Sequence, residues 1–209
     1  MKTYRSKWIL TTLVLLLPML AGLLLWDRLP AEIATHFGPD GQANGWSGKA
    51  FTVFAMPLFL LLVHWVCLFF TLHDPKRANV DRKMLGLLFW MVPVISCVTM
   101  GLIYGIALGA DLNPGLIVNL LMGAVFLLIG NYLGKTHQNH TVGIKLPWTL
   151  HSTENWNRTH RLGSRCFLVG GVALLLNGWL ASTALLLAVV LICALVPTVY
   201  SYSLYKKGI

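Results

Sequence analysis

Apolar residues run through this chain in long blocks that polar stretches interrupt only briefly. Uncharged blocks cover Trp8–Trp26, Ala50–Leu72, Met84–Ala110 and Leu116–Leu133. A last block, Cys166–Tyr205, holds forty residues without a charge. At about 1.5 Å per residue it would make roughly 60 Å of helix, twice the ~30 Å of a bilayer's hydrocarbon core. It must therefore fold back, and Trp179–Thr183 is the predicted turn. The pattern predicts six membrane-spanning helices in an all-α protein, the fifth starting near Gly163 and the sixth ending at Tyr205. The first block follows Lys2, Arg5 and Lys7 as a leader peptide would. It is too long for a leader's apolar region and no small-residue cleavage pattern follows, so it is read as a span. Pro18, Pro57, Pro93 and Pro197 fall inside spans, and Gly101, Gly105 and Gly109 form a row at intervals of four in the third. That row suits close packing of another helix, from the same chain or a second copy.

Composition agrees: 56% of residues are hydrophobic and 11% charged, against about 25% charged in soluble proteins. No room remains for a separate soluble domain, so 1–209 is read as one membrane domain: a two-span unit 8–72, spans three and four in 84–133, and a C-terminal hairpin 163–205. The formal charge of +9 invites a nucleic-acid reading. Placement removes it. With the N-terminus in the cytoplasm, fourteen of the sixteen Lys and Arg fall inside and only Arg28 and Lys49 outside. This is the positive-inside bias, and it predicts both termini in the cytoplasm of a multi-pass membrane protein. Cys67, Cys97, Cys166 and Cys193 sit in or beside apolar blocks, as reduced packing residues would.

Two polar stretches carry the candidate chemistry. Asp27–Lys49 is the one sizeable outside loop; Pro39-Asp40-Gly41 and Asn44-Gly45 are turn dipeptides, and His36, Phe37 and Trp46 set rings between them. A compact loop is predicted, with Trp46 as interfacial anchor or docking surface. Gly130–Arg165 is the long cytoplasmic stretch and holds four of the seven histidines. Gly143-Ile-Lys-Leu-Pro-Trp-Thr149 suits a re-entrant or interface-hugging turn whose backbone needs partners such as Asn131, Asn139 or Thr149. From Ser152, a fitting N-cap, a short interfacial helix is expected, with Glu154 in its first turn. At 100° per residue Arg158, Arg161 and Arg165 share one side, while Trp156, His160 and Gly163 share the other. His64, inside the second span, is read as satisfied by a neighbouring helix.

Catalytic and metal readings are weak. His137, His140, His151 and His160 lack metalloprotein spacing, no cysteine joins them, and Glu154 is the one nearby carboxylate. Ser152 and Ser164 lie near histidines without a nucleophile elbow or an orienting acid. No catalytic residue, metal or cofactor is predicted.

Gly130-Asn131, Asn139, Gly143-Ile144-Lys145, Pro147-Trp148-Thr149-Leu150, Trp156 and Thr159-His160-Arg161 together resemble the signature of the SdpI family of bacterial membrane proteins. The outside loop, with Leu29-Pro30, His36-Phe37 and Gly45-Trp46-Ser47-Gly48-Lys49, resembles the small domain of unknown function that often precedes it. The resemblance implies a non-enzymatic immunity protein against a secreted antimicrobial peptide, which would also draw a cytoplasmic repressor to the membrane. It implies binding residues in the cytoplasmic signature, Arg158 included, and at His36, Phe37, Gly45 and Trp46 outside. The expected partners are membrane lipids, a peptide toxin and a repressor protein, with no direct nucleic acid. A transporter built on the proline-broken helices is the alternative, and a His/Glu membrane enzyme the second.

Overall fold

The computed structural model describes residues 4–209, so Lys2, one of the basic residues counted above, lies outside the described residues. The elements are α1 (Arg5–Leu24), β1 (Glu32–Phe37), β2 (Ala43–Gly48), a π-helical entry (Phe51–Ala55) into α2 (Met56–Leu72), α3 (Arg82–Ala107), α4 (Pro114–Leu133), α5 (Pro147–His151), α6 (Thr153–Leu180) and α7 (Thr183–Lys206). Among the described residues every helix of this series but the five-residue α5, with α2 counted together with its π-helical entry, is long and apolar enough to cross a membrane, which makes the six predicted spans. Large apolar side chains such as Leu13, Phe59, Phe70, Val169 and Val199 are exposed on them, as lipid-facing surfaces require. The chain forms two compact units, residues 4–68 with 88–117, and residues 69–87 with 118–209.

In the first unit the loop after α1 is an antiparallel β-hairpin, with Glu32 opposite Gly48 and Phe37 opposite Ala43. The sequence reading saw a compact loop there but no strands, because glycine and asparagine are poor strand formers. Turn chemistry supplies the pairing. Asp40 Oδ1 accepts from the Gln42 N–H (3.1 Å), and Gly41 has φ 76°, a conformation glycine adopts without cost. Ile33 points inward and is fully buried with Leu29, Val53, Met100, Ile103 and Tyr104. Lys49 ties the hairpin down: its ammonium donates to the Trp26 and Leu29 carbonyls, both at 2.9 Å, at the frayed end of α1. His64 meets Thr11 of α1, Nε2 to Oγ1 3.0 Å, the inter-helix partner expected of it.

In the second unit α4 and α6 touch backbone to backbone. A Cβ on Gly171 would stand 2.9 Å from the Gly123 carbonyl oxygen and from the Leu127 nitrogen. Nearer the other end of the pair, Ser164 Oγ donates to the Gly130 carbonyl (2.6 Å). Phe126, Leu174, Val189 and Cys193 close the core between α4, α6 and α7. At the α6–α7 turn Ala181 is left-handed (φ 48°), while Asn177 donates to Asn119 Oδ1 (2.8 Å) and the Ser182 carbonyl (2.9 Å).

Two expectations change. The helix that starts after Ser152 is not short: it continues without a break into the fifth span as α6, since no proline interrupts 153–180 and Gly163, Gly170 and Gly171 are each buried against neighbours. The glycine row of the third span does not pack on a second helix of its own unit among the described residues. A Cβ at Gly101 would meet nothing within 4 Å, Gly105 faces Leu112 and Ala110 just beyond its own helix, and Gly109 belongs to a turn at φ 88°. The close approach lies instead at Gly123 of α4 and Gly171 of α6. Gly171→Leu should therefore force α4 and α6 apart and cost about 1–3 kcal/mol, whereas Gly101→Ala should be neutral or slightly stabilising; thermal unfolding of the purified variants in detergent measures both.

Candidate functional site

The stretch between α4 and α5 has no regular structure, so every amide and carbonyl in it needs a partner at the edge of an apolar medium. Asn139 supplies several at once. It is fully buried; its amide donates to the His137 (2.9 Å) and Val142 (3.0 Å) carbonyls, and its Oδ1 accepts from the Thr141 (2.9 Å) and Val142 (2.7 Å) N–H groups. The turn between α2 and α3 holds this loop from below. Asp74 Oδ2 accepts from the His140 N–H and the Thr141 hydroxyl, both at 2.9 Å, and its Oδ1 from the Lys76 N–H at 2.8 Å. Asn79 donates to the Gln138 carbonyl (2.7 Å) and Lys76 Nζ to Gln138 Oε1 (3.3 Å). Gln138 then donates onward to the Thr149 (2.9 Å) and Leu150 (3.0 Å) carbonyls of α5.

Pro147 starts α5 at the position where its missing N–H costs nothing. Thr149, fully buried, accepts from the Leu146 N–H at 2.8 Å, and its hydroxyl reaches the Ile144 and Leu146 carbonyls at 2.9 Å. Ser152 caps α6 by accepting from the Asn155 N–H (3.1 Å). The buried face of α6 then meets the loop. Trp156 donates to the Thr136 carbonyl (2.8 Å), and its ring stacks on His160 with centroids 3.9 Å apart. His160 Nδ1–H donates to the Trp156 carbonyl (2.8 Å) while Nε2 accepts from the Ile144 N–H (2.9 Å). That pair of bonds selects the neutral Nδ1–H tautomer, since a proton on Nε2 would face another donor. Gly143 is needed beside it: at φ 125° a side chain is strained, and a Cβ would fall on the His160 and Trp156 rings.

On the α7 side Asn155, also buried, donates to the Ser201 carbonyl (3.0 Å) and accepts from the hydroxyls of Ser201 (2.8 Å) and Thr159 (3.0 Å). Trp148 donates to Ser201 Oγ (2.7 Å) and stacks on Tyr205, centroids 5.5 Å apart. Pro147, Trp148, His151, Ser152 and Tyr205 line an open cavity of about 440 Å³.

Of the predicted residues, Asn139, Gly143, Pro147, Trp148, Thr149, Trp156, Thr159 and His160 thus come together in one hydrogen-bonded knot. Lys145, Arg158 and Arg161 are exposed on its outside, and Arg158 pairs with Glu154 at 2.5 Å. Asn131 stays apart, exposed on α4, where it accepts from Lys135 (3.4 Å). In the hairpin, His36 donates to Asn44 Oδ1 (2.5 Å), Gly45 faces His36, Phe37 pairs with Ala43, and Trp46 is 58% exposed. Sequence reasoning missed Asp74, Gln138, Asn155 and Ser201. The one available signal was His73-Asp74-Pro75, a turn-forming acid in a basic loop. Among the described residues no three His, Cys, Asp or Glu side chains gather as metal ligands.

The fold and this knot define a membrane protein with six candidate spans among the described residues and a buried polar knot where α4, α5, α6 and α7 meet. Residues 135–201 match the SdpI/YfhL protein family, and residues 13–61 match DUF1648, a domain of unknown function. The SdpI-family resemblance carried by the signature residues therefore holds, in a multi-pass protein of the bacterial cell membrane. Over 210 residues, 97% of each chain, this protein is 26% identical to "Immunity protein SdpI" of Bacillus subtilis (strain 168). No solved structure matches it.

Burial works to raise the Asp74 pKa, but the hydrogen bonds from the Lys76 N–H, the Thr141 hydroxyl and the His140 N–H outweigh it and hold it below its ordinary 3.8. A carboxyl with a depressed folded value stabilises the protein above its unfolded pKa, and that contribution is lost as pH falls through the folded one. Asp74→Asn turns an amide donor toward these donors and should cost about 1–3 kcal/mol near neutral pH. The gap between wild type and variant in unfolding midpoint should close as pH is lowered past 3.8.

Proposed function

We propose that this protein is a non-enzymatic immunity protein that protects the cell bearing it from a secreted antimicrobial peptide. The observation that carries this reading is the likeness to an immunity protein along 97% of both chains, joined to the way the signature residues are spent. Asn139, Thr149, Asn155, Trp156 and His160 use their polar atoms on one another and on the backbone. That suits a rigid platform rather than a catalytic set, which needs an unengaged nucleophile beside a base. The buried members act as framework. The exposed Lys145, Arg158 and Arg161, with the Trp148 cavity, act as the binding face.

With both termini in the cytoplasm, as the charge bias requires, that face looks into the cell and is where a repressor protein would dock. The hairpin then looks outward. His36, Phe37 and Gly45 shape it, and the exposed Trp46 offers the peptide an amphipathic ring.

A sensitive host expressing the protein should survive challenge by a secreted peptide toxin encoded near it. Trp46→Ala should reduce survival if the hairpin meets the toxin, and Trp148→Ala with Arg161→Ala if the opposite face takes part. Full protection by the double variant, at wild-type membrane levels, would remove the signature segment from the mechanism. Absence of protection by the wild-type protein would overturn the immunity reading itself.

A further inference from the structure

A second cavity of about 400 Å³ opens sideways between α6 and α7, within their apolar lengths and away from the polar knot. Arg165, Val169 and Ala173 line it from α6, and Val189, Ile192 and Cys193 from α7. From Arg165 to Ala173 it runs just over two helical turns, about 12 Å. Its floor is firm, because Val189 and Cys193 are buried in the core with Phe126 and Leu174. Cys193 Sγ already donates to the Cys166 carbonyl (3.3 Å), so the floor asks for no polar partner. Its rim is open, with Val169 71% and Ile192 53% exposed. Among the described residues that line it the one charged group is Arg165, at one end.

Arg161 lies one turn before Arg165 on the same exposed side of α6. Glu154 is occupied by Arg158, and neither Arg161 nor Arg165 has an acidic partner among the described residues. Two guanidinium groups without counter-charge, at the head of an apolar groove that faces lipid, match one molecule: a phosphate to accept the fork of N–H donors, carrying a hydrocarbon chain to fill the groove. Water cannot cover such a groove at membrane depth, and an uncharged lipid would leave the arginines uncompensated.

We propose that this groove binds an anionic phospholipid, one acyl chain lying between α6 and α7 and the headgroup phosphate held by Arg165 with Arg161. The site shares Arg161 with the binding face of the immunity reading, but Arg165 and the groove belong to it alone and lipid retention tests it without any toxin.

Delipidated full-length protein in mild detergent, titrated with phosphatidylglycerol or with phosphatidylcholine of the same chains, tests it by native mass spectrometry. A single phosphatidylglycerol adduct should persist under conditions that strip phosphatidylcholine. Arg165→Gln should weaken phosphatidylglycerol binding about fivefold, the effect of one basic side chain at an anionic lipid surface. Val169→Trp, at an exposed position where the fold should tolerate it, should cover the groove and reduce retention while leaving the lipid-free unfolding midpoint unchanged. Glycerol 3-phosphate should not compete. Equal retention of the two lipids with Arg165→Gln silent would reduce the groove to ordinary lipid-facing surface and overturn the proposal. Competition by glycerol 3-phosphate equal to that of the whole lipid would overturn it in favour of a plain phosphate site.

Discussion

A backbone that leaves helical geometry next to lipid must bring its own hydrogen-bond partners, and in this protein the demand falls on the residues between α4 and α5. Helices satisfy their amides internally; this loop cannot. Asn139 answers for the loop's own carbonyls and amides, Asp74 for the His140 N–H and the Thr141 hydroxyl, and His160 for the Ile144 N–H. Each responding group arrives on a different element. The loop, the α2–α3 turn, α5, α6 and α7 are thereby bound into one arrangement.

Apolar burial alone would not select that arrangement. The helices are surrounded by an environment as apolar as their own side chains, so little hydrophobic gain separates one packing from another. Two kinds of contact discriminate. Gly123 and Gly171 allow α4 and α6 to meet at a distance that any side chain would prevent. Buried amides such as Asn119, Asn155 and Asn177 are matched by partners on neighbouring segments and would be left unsatisfied in a shifted register.

The spans were legible in the sequence because length and apolarity are one-dimensional properties, and the turn at Trp179–Thr183 followed from helix rise against membrane thickness. The two faces of α6 were legible as well: 100° per residue separates Trp156 and His160 from Arg158 and Arg161, and burial divides them in the same way. What stayed hidden depends on chain-distant meetings. Asp74 reads as an ordinary turn residue until His140 and Thr141 are placed over it. Ser201 reads as a small residue in an apolar helix until Trp148 and Asn155 converge on it. The hairpin was missed for a different reason: its second strand, Ala-Asn-Gly-Trp-Ser-Gly, has little strand propensity, and Ile33 and Lys49 fix it through contacts with the helices and their ends.

The uninterrupted course of α6 has a mechanical side. Its 28 residues make a rod of about 42 Å, some 12 Å longer than the hydrocarbon core it crosses. Its membrane half is held at the Gly123–Gly171 contact, and its N-terminal end carries Trp156 and His160 into the polar knot. A rod without a joint neither bends nor absorbs a displacement along its length. A tilt imposed on its membrane half reappears at its other end as a sideways swing of the surface that bears Arg158 and Arg161, so the two ends of this helix report on each other.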